Sequence, residues 1–479
     1  MAKRKPNILF IQTDQHQLDI LGCYGNPIVR TPNLDRLAAA GVRFTNAFTC
    51  TGVCTPSRGA LLSGQYPHTT GMIFNPELPG GRLGRRLCTY DQPITPYSQI
   101  LADAGYDLHH IGKWHIGSWF ETKPSHYGFK GPFYPGYGYP FDHPHYNRYL
   151  AKYGQPGFVT HPAKPSRNTK RYFVEHRVDA EASIPGYLCS QAVNVLKRTA
   201  RKNDPFFLAL NFWGPHIPVR IPPEYLYLYD PADMPLPPNL DNIADHRPAI
   251  VAKAHNCWGG KVLDETMVRR IIAAYYGYVT LIDDQIGRVL AALEATGQAD
   301  NTVIIFTSDH GSTLGAHGLQ DKGLMMYDEV YRIPLIVSGA GVARPGSVVD
   351  RFVMTMDTTA TFVDLAGRRI PGHYDGKPLT PYLRGESKHT IRREVVMEAF
   401  GHQVPFVQRA VRDHRYKYIF NTTAIDEFYN IADDPYETTN LIDTADAALL
   451  GRYRRKLLAW GDAHDDHATK VFARQAWRP

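Results

Sequence analysis

The chain has 479 residues, 43% of them hydrophobic and 12% aromatic, with a formal net charge of +7. That composition is globular rather than disordered. The length exceeds a single small core, so two domains, or one large domain with an appendage, are expected. Basic residues are spread along the chain with no block suited to clasp nucleic acid, and no apolar run is long enough to cross a bilayer, so neither a nucleic-acid nor a membrane partner is expected.

Lys3-Arg4-Lys5 opens like a secretory leader, but the apolar run from Ile8 to Ile11 is broken at Gln12 and Asp14. The six cysteines, at 23, 50, 54, 88, 189 and 257, form no framework pattern, and a cytoplasmic location is the simplest expectation. Asn7 to Thr13 reads as a buried parallel strand that stops at Asp14-Gln15-His16. Thr31 and Pro32 start a helix that ends at Gly41. Thr55 and Pro56 read as the N-cap and first residue of another, with Gly64 as its stop. Cys54 then sits just before a helix N-terminus, where free N–H groups favour an anion, and Arg58 in the first turn can fork onto an oxyanion.

The stretch 76–165, rich in Gly, Pro, Tyr and His, is read largely as loops over the active face. Its aromatic part from Tyr134 to Tyr153 suits either sugar stacking or ordinary packing. Phe206 to Phe212 is a second buried strand, closing in Trp213-Gly214-Pro215-His216. Met267 to Leu293 has the pattern of a long helix. Thr302 to Thr307 is a third strand, ending in Ser308-Asp309-His310-Gly311. Strands alternating with helices predict an α/β fold with a large, mostly parallel sheet. Ligands bind beyond the carboxyl ends of such strands, so Asp14, His216 and Asp309 are predicted to meet along one edge. After Gly385 the texture changes. Arg393 to Glu398 and Phe406 to Phe420 read as antiparallel strands, giving a catalytic domain over 1–385 and a small α+β subdomain over 386–479.

Five motifs share an order that resembles the type I sulfatases of the alkaline phosphatase superfamily, from Asn7 to Leu441. Cys54-Thr55-Pro56-Ser57-Arg58, followed by Gly59-Ala60-Leu61-Leu62-Ser63-Gly64, resembles the C-x-P-S-R signature whose cysteine is oxidised to formylglycine; Ser63 stands where Thr, Ala or Arg is usual. Gly105 to His115 resembles the second signature ending in G-K-x-H, with Leu108 replacing Ser or Thr. The resemblance implies that Lys113 contacts the ester oxygens, that His115 serves the formylglycine hydroxyl, that His216 protonates the leaving alcohol, and that Lys322 in Asp321-Lys322-Gly323 is a further anion clamp. It implies a metal site at Asp14, Gln15, Cys54, Asp309 and His310. Many sulfatases have Asp-Asp at the first pair and Asn at the last position. The Asp-Gln and Asp-His pairs also resemble choline-sulfatase-like enzymes and phosphonate monoester hydrolases. Calcium is the expected ion, with manganese, or another transition metal suited to the imidazole, or magnesium as the alternatives. His109, His110 and His317 are expected to be structural.

The function implied is hydrolysis of an aryl, choline or carbohydrate sulfate ester, after a separate formylglycine-generating enzyme has matured Cys54. Phosphonate monoester or phosphodiester hydrolysis with the same aldehyde is the alternative, and a non-catalytic anion- or glycan-binding homologue is the third. Oligomeric state is unreadable from the sequence.

Overall fold

The computed structural model describes residues 5–76, 86–118, 122–135, 140–155, 172–242, 247–251, 264–323, 325–386, 389–402 and 404–477. The strands of the main sheet are β1 (Asn7–Asp14), β2 (Val42–Phe48), β3 (Asp107–Gly112), β5 (Phe206–Pro215), β7 (Thr302–Ser308), β8 (Leu335–Gly339) and β9 (Ser347–Met354). Between them, β4 (Phe173–Glu175) and β6 (Val219–Ile221) make a small parallel ribbon. The sheet order is β3-β5-β1-β7-β8-β2-β9, parallel except where β8 runs against β7 and β2.

Side chains alternate between two faces, as a strand period of two requires. Leu9, Ile11, Leu208, Leu210 and Phe306 pack under α1 (Pro32–Ala40) and the helices Ile184–Thr199 and Glu265–Ala295. Ile8, Phe10, Phe207 and Ile305 pack on the other face under α2 (Cys54–Ser63), Tyr97–Asp103 and Thr355–Leu365. Burial on both faces explains why these strands read as continuous apolar runs. The registers pair Thr13 with Ser308 and Asp14 with Pro215, so the residues that follow all three strands emerge at one edge.

Two expectations need correction and one is completed. Most of the described residues within 76–165 lie outside helix and strand, as expected, but the helix Tyr97–Asp103, the strand β3 and the helix Pro144–Lys152 also lie there. The two histidines of β3 hid a strand whose burial pattern is continuous. The expected strand from Phe406 to Phe420 is two, β11 (Val404–Arg412) and β12 (Tyr416–Asn421), because Asp413 turns the chain by accepting from the N–H groups of Arg415 and Tyr416, both at 3.0 Å. Thr55 does not cap α2. The N-cap is Val53 with extended backbone, Cys54 is the first helical residue, and the Thr55 hydroxyl makes no hydrogen bond. Gly64 ends α2 in the left-handed conformation, as expected, with φ 72°. Cys257 and part of the Tyr134–Tyr153 stretch lie outside the described residues.

The second sheet, β10 (Val395–His402), β11, β12 and β13 (Glu427–Asn430), is an antiparallel meander packed on the helix Ala447–His464. It grips the chain on both sides of α2. The N–H of Glu398 donates to Cys50 O at 2.8 Å, and its carboxylate receives His68 through both the backbone N–H, at 3.1 Å, and the ring. His68, Glu398 and Asp466 bring three donor atoms within 4.8 Å, a spacing a metal could use. Arg409 already forks onto Asp466 at 3.1 and 2.7 Å, however. Burial alone would push His68 down, but Glu398 carries it up to about 9, so the ring is a cation. This is an ion-paired clasp rather than a metal centre.

Candidate active site

Cys54 is fully buried at the start of α2. The next N–H, of Thr55, donates to Asn75 Oδ1 at 2.9 Å, and Ser57 Oγ donates to Asp309 O at 2.7 Å, which fixes the helix start against the end of β7. One turn beyond Cys54, Arg58 places Nε 3.0 Å from Asp309 Oδ2 and NH2 2.8 Å from Asp14 Oδ2, while NH1 reaches Gln12 Oε1 at 3.2 Å. Gln12, a polar residue inside an apolar strand, was therefore a legible signal. Asn75 carried none.

Lys113 follows Gly112 at the end of β3, and its Nζ lies 2.6 Å from Asp14 Oδ2. Gly112 has φ 97°, and a Cβ there would meet Asn211 O at 1.8 Å, so only glycine lets the strand turn Lys113 inward. His115, two residues on, is buried with φ 50°. Burial would raise the pKa of Asp14, but Lys113, Arg58, His216 and Lys322 together hold it well below the usual carboxylate value.

On the other side of Cys54, His310 Nε2 lies 3.1 Å from Sγ. Its Nδ1 donates to Gly311 O at 2.8 Å, which leaves the lone pair on Nε2, and burial with Lys322 keeps the ring below its ordinary pKa. Asp309 Oδ1 accepts from the N–H of Gln15 at 3.1 Å. The side chain of Gln15 accepts from Lys322 Nζ at 3.0 Å and donates to Ser312 at 3.1 Å. Lys322 also hydrogen-bonds His216 Nε2 and pairs with Asp321 at 3.3 Å. Burial and Lys322 push His216 well below its ordinary value, while burial's effect on Lys322 is outweighed by Asp321 and its anionic neighbours, which hold it protonated.

The structure thus gathers Asp14, Gln15, Cys54, Arg58, Lys113, His216, Asp309, His310 and Lys322 at one sheet edge, with His115 two residues from Lys113. The histidines expected to be structural lie elsewhere. His109 pairs with Asp107 at 3.2 Å, His110 packs edge-on to Trp114, and His317 stacks on Tyr327 and is held by Arg247 at 2.8 Å.

Ligand atoms of Asp14, Cys54, Asp309 and His310 all lie within 4.8 Å of one another, and all four residues are buried. Oxygens on opposite sides of a calcium ion, each at about 2.4 Å, span about that distance. The charges also leave room for a cation. Arg58, Lys113 and Lys322 are matched by Asp14, Asp309 and Asp321, so an anionic ester would find no net positive charge from these side chains alone. The residues fit a divalent ion.

A family model described as Sulfatase matches residues 6–368, and one described as N-sulphoglucosamine sulphohydrolase, C-terminal, matches residues 315–459. The chain belongs to the sulfatase family. Within the alkaline phosphatase superfamily it is a sulfatase-type enzyme, similar to the uncharacterized sulfatase YidJ of Escherichia coli (strain K12), with 31% identity over 92% of this chain and 84% of that protein. An ulvan-active sulfatase of Formosa agariphila is 28% identical over 96% of this chain and 82% of its own. Among solved structures, the phosphonate monoester hydrolase SpPMH from Silicibacter pomeroyi superposes with a TM-score of 0.80 and 26% identity, covering 96% of each chain. The part of this sulfatase-family chain that superposes, 96% of it, is built on the parallel sheet and the small antiparallel one. Among the described residues, no helix is long and apolar enough to cross a membrane.

Proposed function

We propose that this enzyme hydrolyses a sulfate monoester, an aryl, choline or carbohydrate sulfate, with Cys54 converted to formylglycine and a divalent cation, calcium in the first instance, held by Asp14, Gln15, Asp309 and His310 beside it. The observation that carries the reading is the position of Cys54 Sγ, 3.1 Å from His310 Nε2 and 3.9 Å from Asp14 Oδ1, among three buried cations. The hydrated aldehyde would supply one hydroxyl to attack sulfur and a second to release the intermediate, and the cation would lower the pKa of the first.

The chain's own residues do the rest. Arg58 fixes both metal-facing carboxylates at once, so neither swings as charge develops. Lys113 and Lys322 flank the ester oxygens. His216 donates Nδ1–H to Ile217 O and accepts from Lys322 at Nε2. The proton for the departing alkoxide is therefore the one on Lys322, delivered directly or through His216. His115 takes the proton of the second hydroxyl as the aldehyde reforms. The division into a catalytic domain over 1–385 and a smaller subdomain over 386–479 belongs to the same proposal.

The likeness to SpPMH favours phosphonate monoesters as the second reading, while the Asp14-Gln15 and Asp309-His310 pairs, which resemble choline-sulfatase-like enzymes as well, favour neither. The deciding experiment compares an aryl sulfate with the matched aryl phosphonate monoester, using protein whose residue 54 is shown by mass to be formylglycine, beside Cys54→Ala. Sulfate turnover lost in the variant supports the first reading. Preference for the phosphonate supports the second. No turnover of either ester points to a binding protein or to a selective glycan sulfate.

A further inference from the structure

As encoded, residue 54 carries a thiol, and its sulfur is the soft member of a mixed donor set. Among the described residues two clusters bring three or more donor atoms within 4.8 Å of one another, and of these the one at Asp14, Cys54, Asp309 and His310 contains a cysteine. Cys54 Sγ lies 3.1 Å from His310 Nε2 and 3.9 Å from Asp14 Oδ1, and His310 Nε2 lies 3.7 Å from Asp309 Oδ1. Tetrahedral zinc, with bonds of about 2.3 Å to sulfur and about 2.0–2.2 Å to nitrogen and oxygen, holds its donors about 3.4–3.6 Å apart. All three separations fall within about 0.5 Å of that spacing.

The surrounding contacts already orient these atoms. His310 gives its Nδ1–H to Gly311 O at 2.8 Å, which leaves the Nε2 lone pair on the side of the sulfur. Asp14 spends Oδ2 on Arg58 and Lys113, at 2.8 and 2.6 Å, and keeps Oδ1 toward Cys54. Asp309 Oδ1 accepts from the N–H groups of Gln15 and His310, at 3.1 and 2.9 Å, as ligating carboxylates commonly do. Calcium, which takes about six to eight oxygen ligands, gains nothing from a thiol. Thiolate, imidazole and carboxylate converging on one point are instead a zinc set.

We propose that the folded chain whose Cys54 has not been converted binds one thiophilic divalent cation, zinc in the first instance, through Cys54 Sγ, His310 Nε2, Asp14 and Asp309. On binding, the S–H bond gives way to an S–Zn bond, one proton leaves to solvent, and no oxidation state changes. The inference rests on the metal site proposed above, and on neither the aldehyde nor the identity of the ester.

The test uses metal-stripped protein whose residue 54 is shown by mass to be cysteine, titrated with cobalt(II), whose thiolate complexes show a near-ultraviolet charge-transfer band. One cobalt per chain is expected to raise that band, and one zinc to bleach it. Cys54→Ser keeps the shape of the side chain and removes the soft donor. It is expected to lose the band and to bind zinc at least about 100-fold more weakly, beyond the about 10–100-fold that an outer hydrogen-bonding partner is worth. The unconverted wild type is expected to bind zinc at least about 100-fold more tightly than calcium. Should Cys54→Ser fail to fold by circular dichroism, that preference in the wild type decides alone. Absence of the band, a band that survives in the folded variant, or calcium bound as tightly as zinc overturns the proposal. Calcium binding to the formylglycine form, measured separately, reports on the proposed function whichever way this result falls.

Discussion

Arg58 reaches Asp14 through NH2 at 2.8 Å while its own Nε holds Asp309 at 3.0 Å, so a single guanidinium one turn beyond Cys54 ties the end of β1 to the end of β7. A planar fork spans both carboxylates; an ammonium on a flexible stem reaches one at a time. Arg58→Lys keeps the charge and loses the span. It is expected to lower kcat on the aryl ester by about 10²–10³-fold, the scale of losing one preorganised donor, with a smaller change in KM. A kcat within threefold of wild type would mean that Arg58 only balances charge.

Metal binding is read most directly from stability. Calcium at about 100 times its Kd is expected to raise the unfolding free energy by about 3 kcal/mol, and Asp309→Asn to abolish the effect. Parallel melts with manganese and magnesium rank the ions. A wild-type melting temperature indifferent to all three would remove the metal from the mechanism.

The His68 clasp gives a pH signature. Its ring sits at about 9 in the fold against an ordinary value of 6.5, so folding takes up a proton. The stabilisation is complete below about pH 6.5 and is lost as pH rises through about 9, amounting to about 3 kcal/mol at most. Urea midpoints at pH 6 and pH 9.5 should therefore separate in the wild type, and His68→Gln should narrow the gap. Equal gaps in the two proteins would place the proton elsewhere.

Gly112→Ala and Gly105→Ala form a matched pair at the two ends of β3. Both glycines have positive φ, 97° and 85°, but only at 112 does the new Cβ meet backbone, Asn211 O at 1.8 Å; at 105 it meets nothing within 4 Å. Gly105→Ala is expected to cost about 1 kcal/mol of backbone strain alone. Gly112→Ala is expected to cost at least about 2 kcal/mol and also to depress kcat, because it displaces Lys113. Denaturant titration and kinetics on both variants check this.

The central strands and the meeting of Asp14, His216 and Asp309 were legible because each strand holds a run of apolar residues and turns polar where it stops. β3 was not, since His109 and His110 look polar in sequence and the partner of His110, Asn211 at 3.1 Å, comes from β5, 101 residues further along the chain. The helix cap on Thr55 was misread because the string Thr-Pro favours it locally, whereas Asn75, brought in from beyond the helix, takes the Thr55 N–H. The roles of Gln15 and Lys322 toward each other depend on two loops that are distant in sequence, which no spacing could show.

The burial of Cys54 sets a schedule. α2 is buried along its whole length, and Thr359, from a helix that lies over it, closes onto Leu61 O across 298 residues of sequence. At about 5–20 residues per second of synthesis, on the order of 15–60 s separate the appearance of the cysteine from the arrival of its cover. If Cys54 is to become an aldehyde, the oxidising enzyme works within that interval or on a chain held open, and a faster-made or faster-closing variant would accumulate as folded, unconverted thiol.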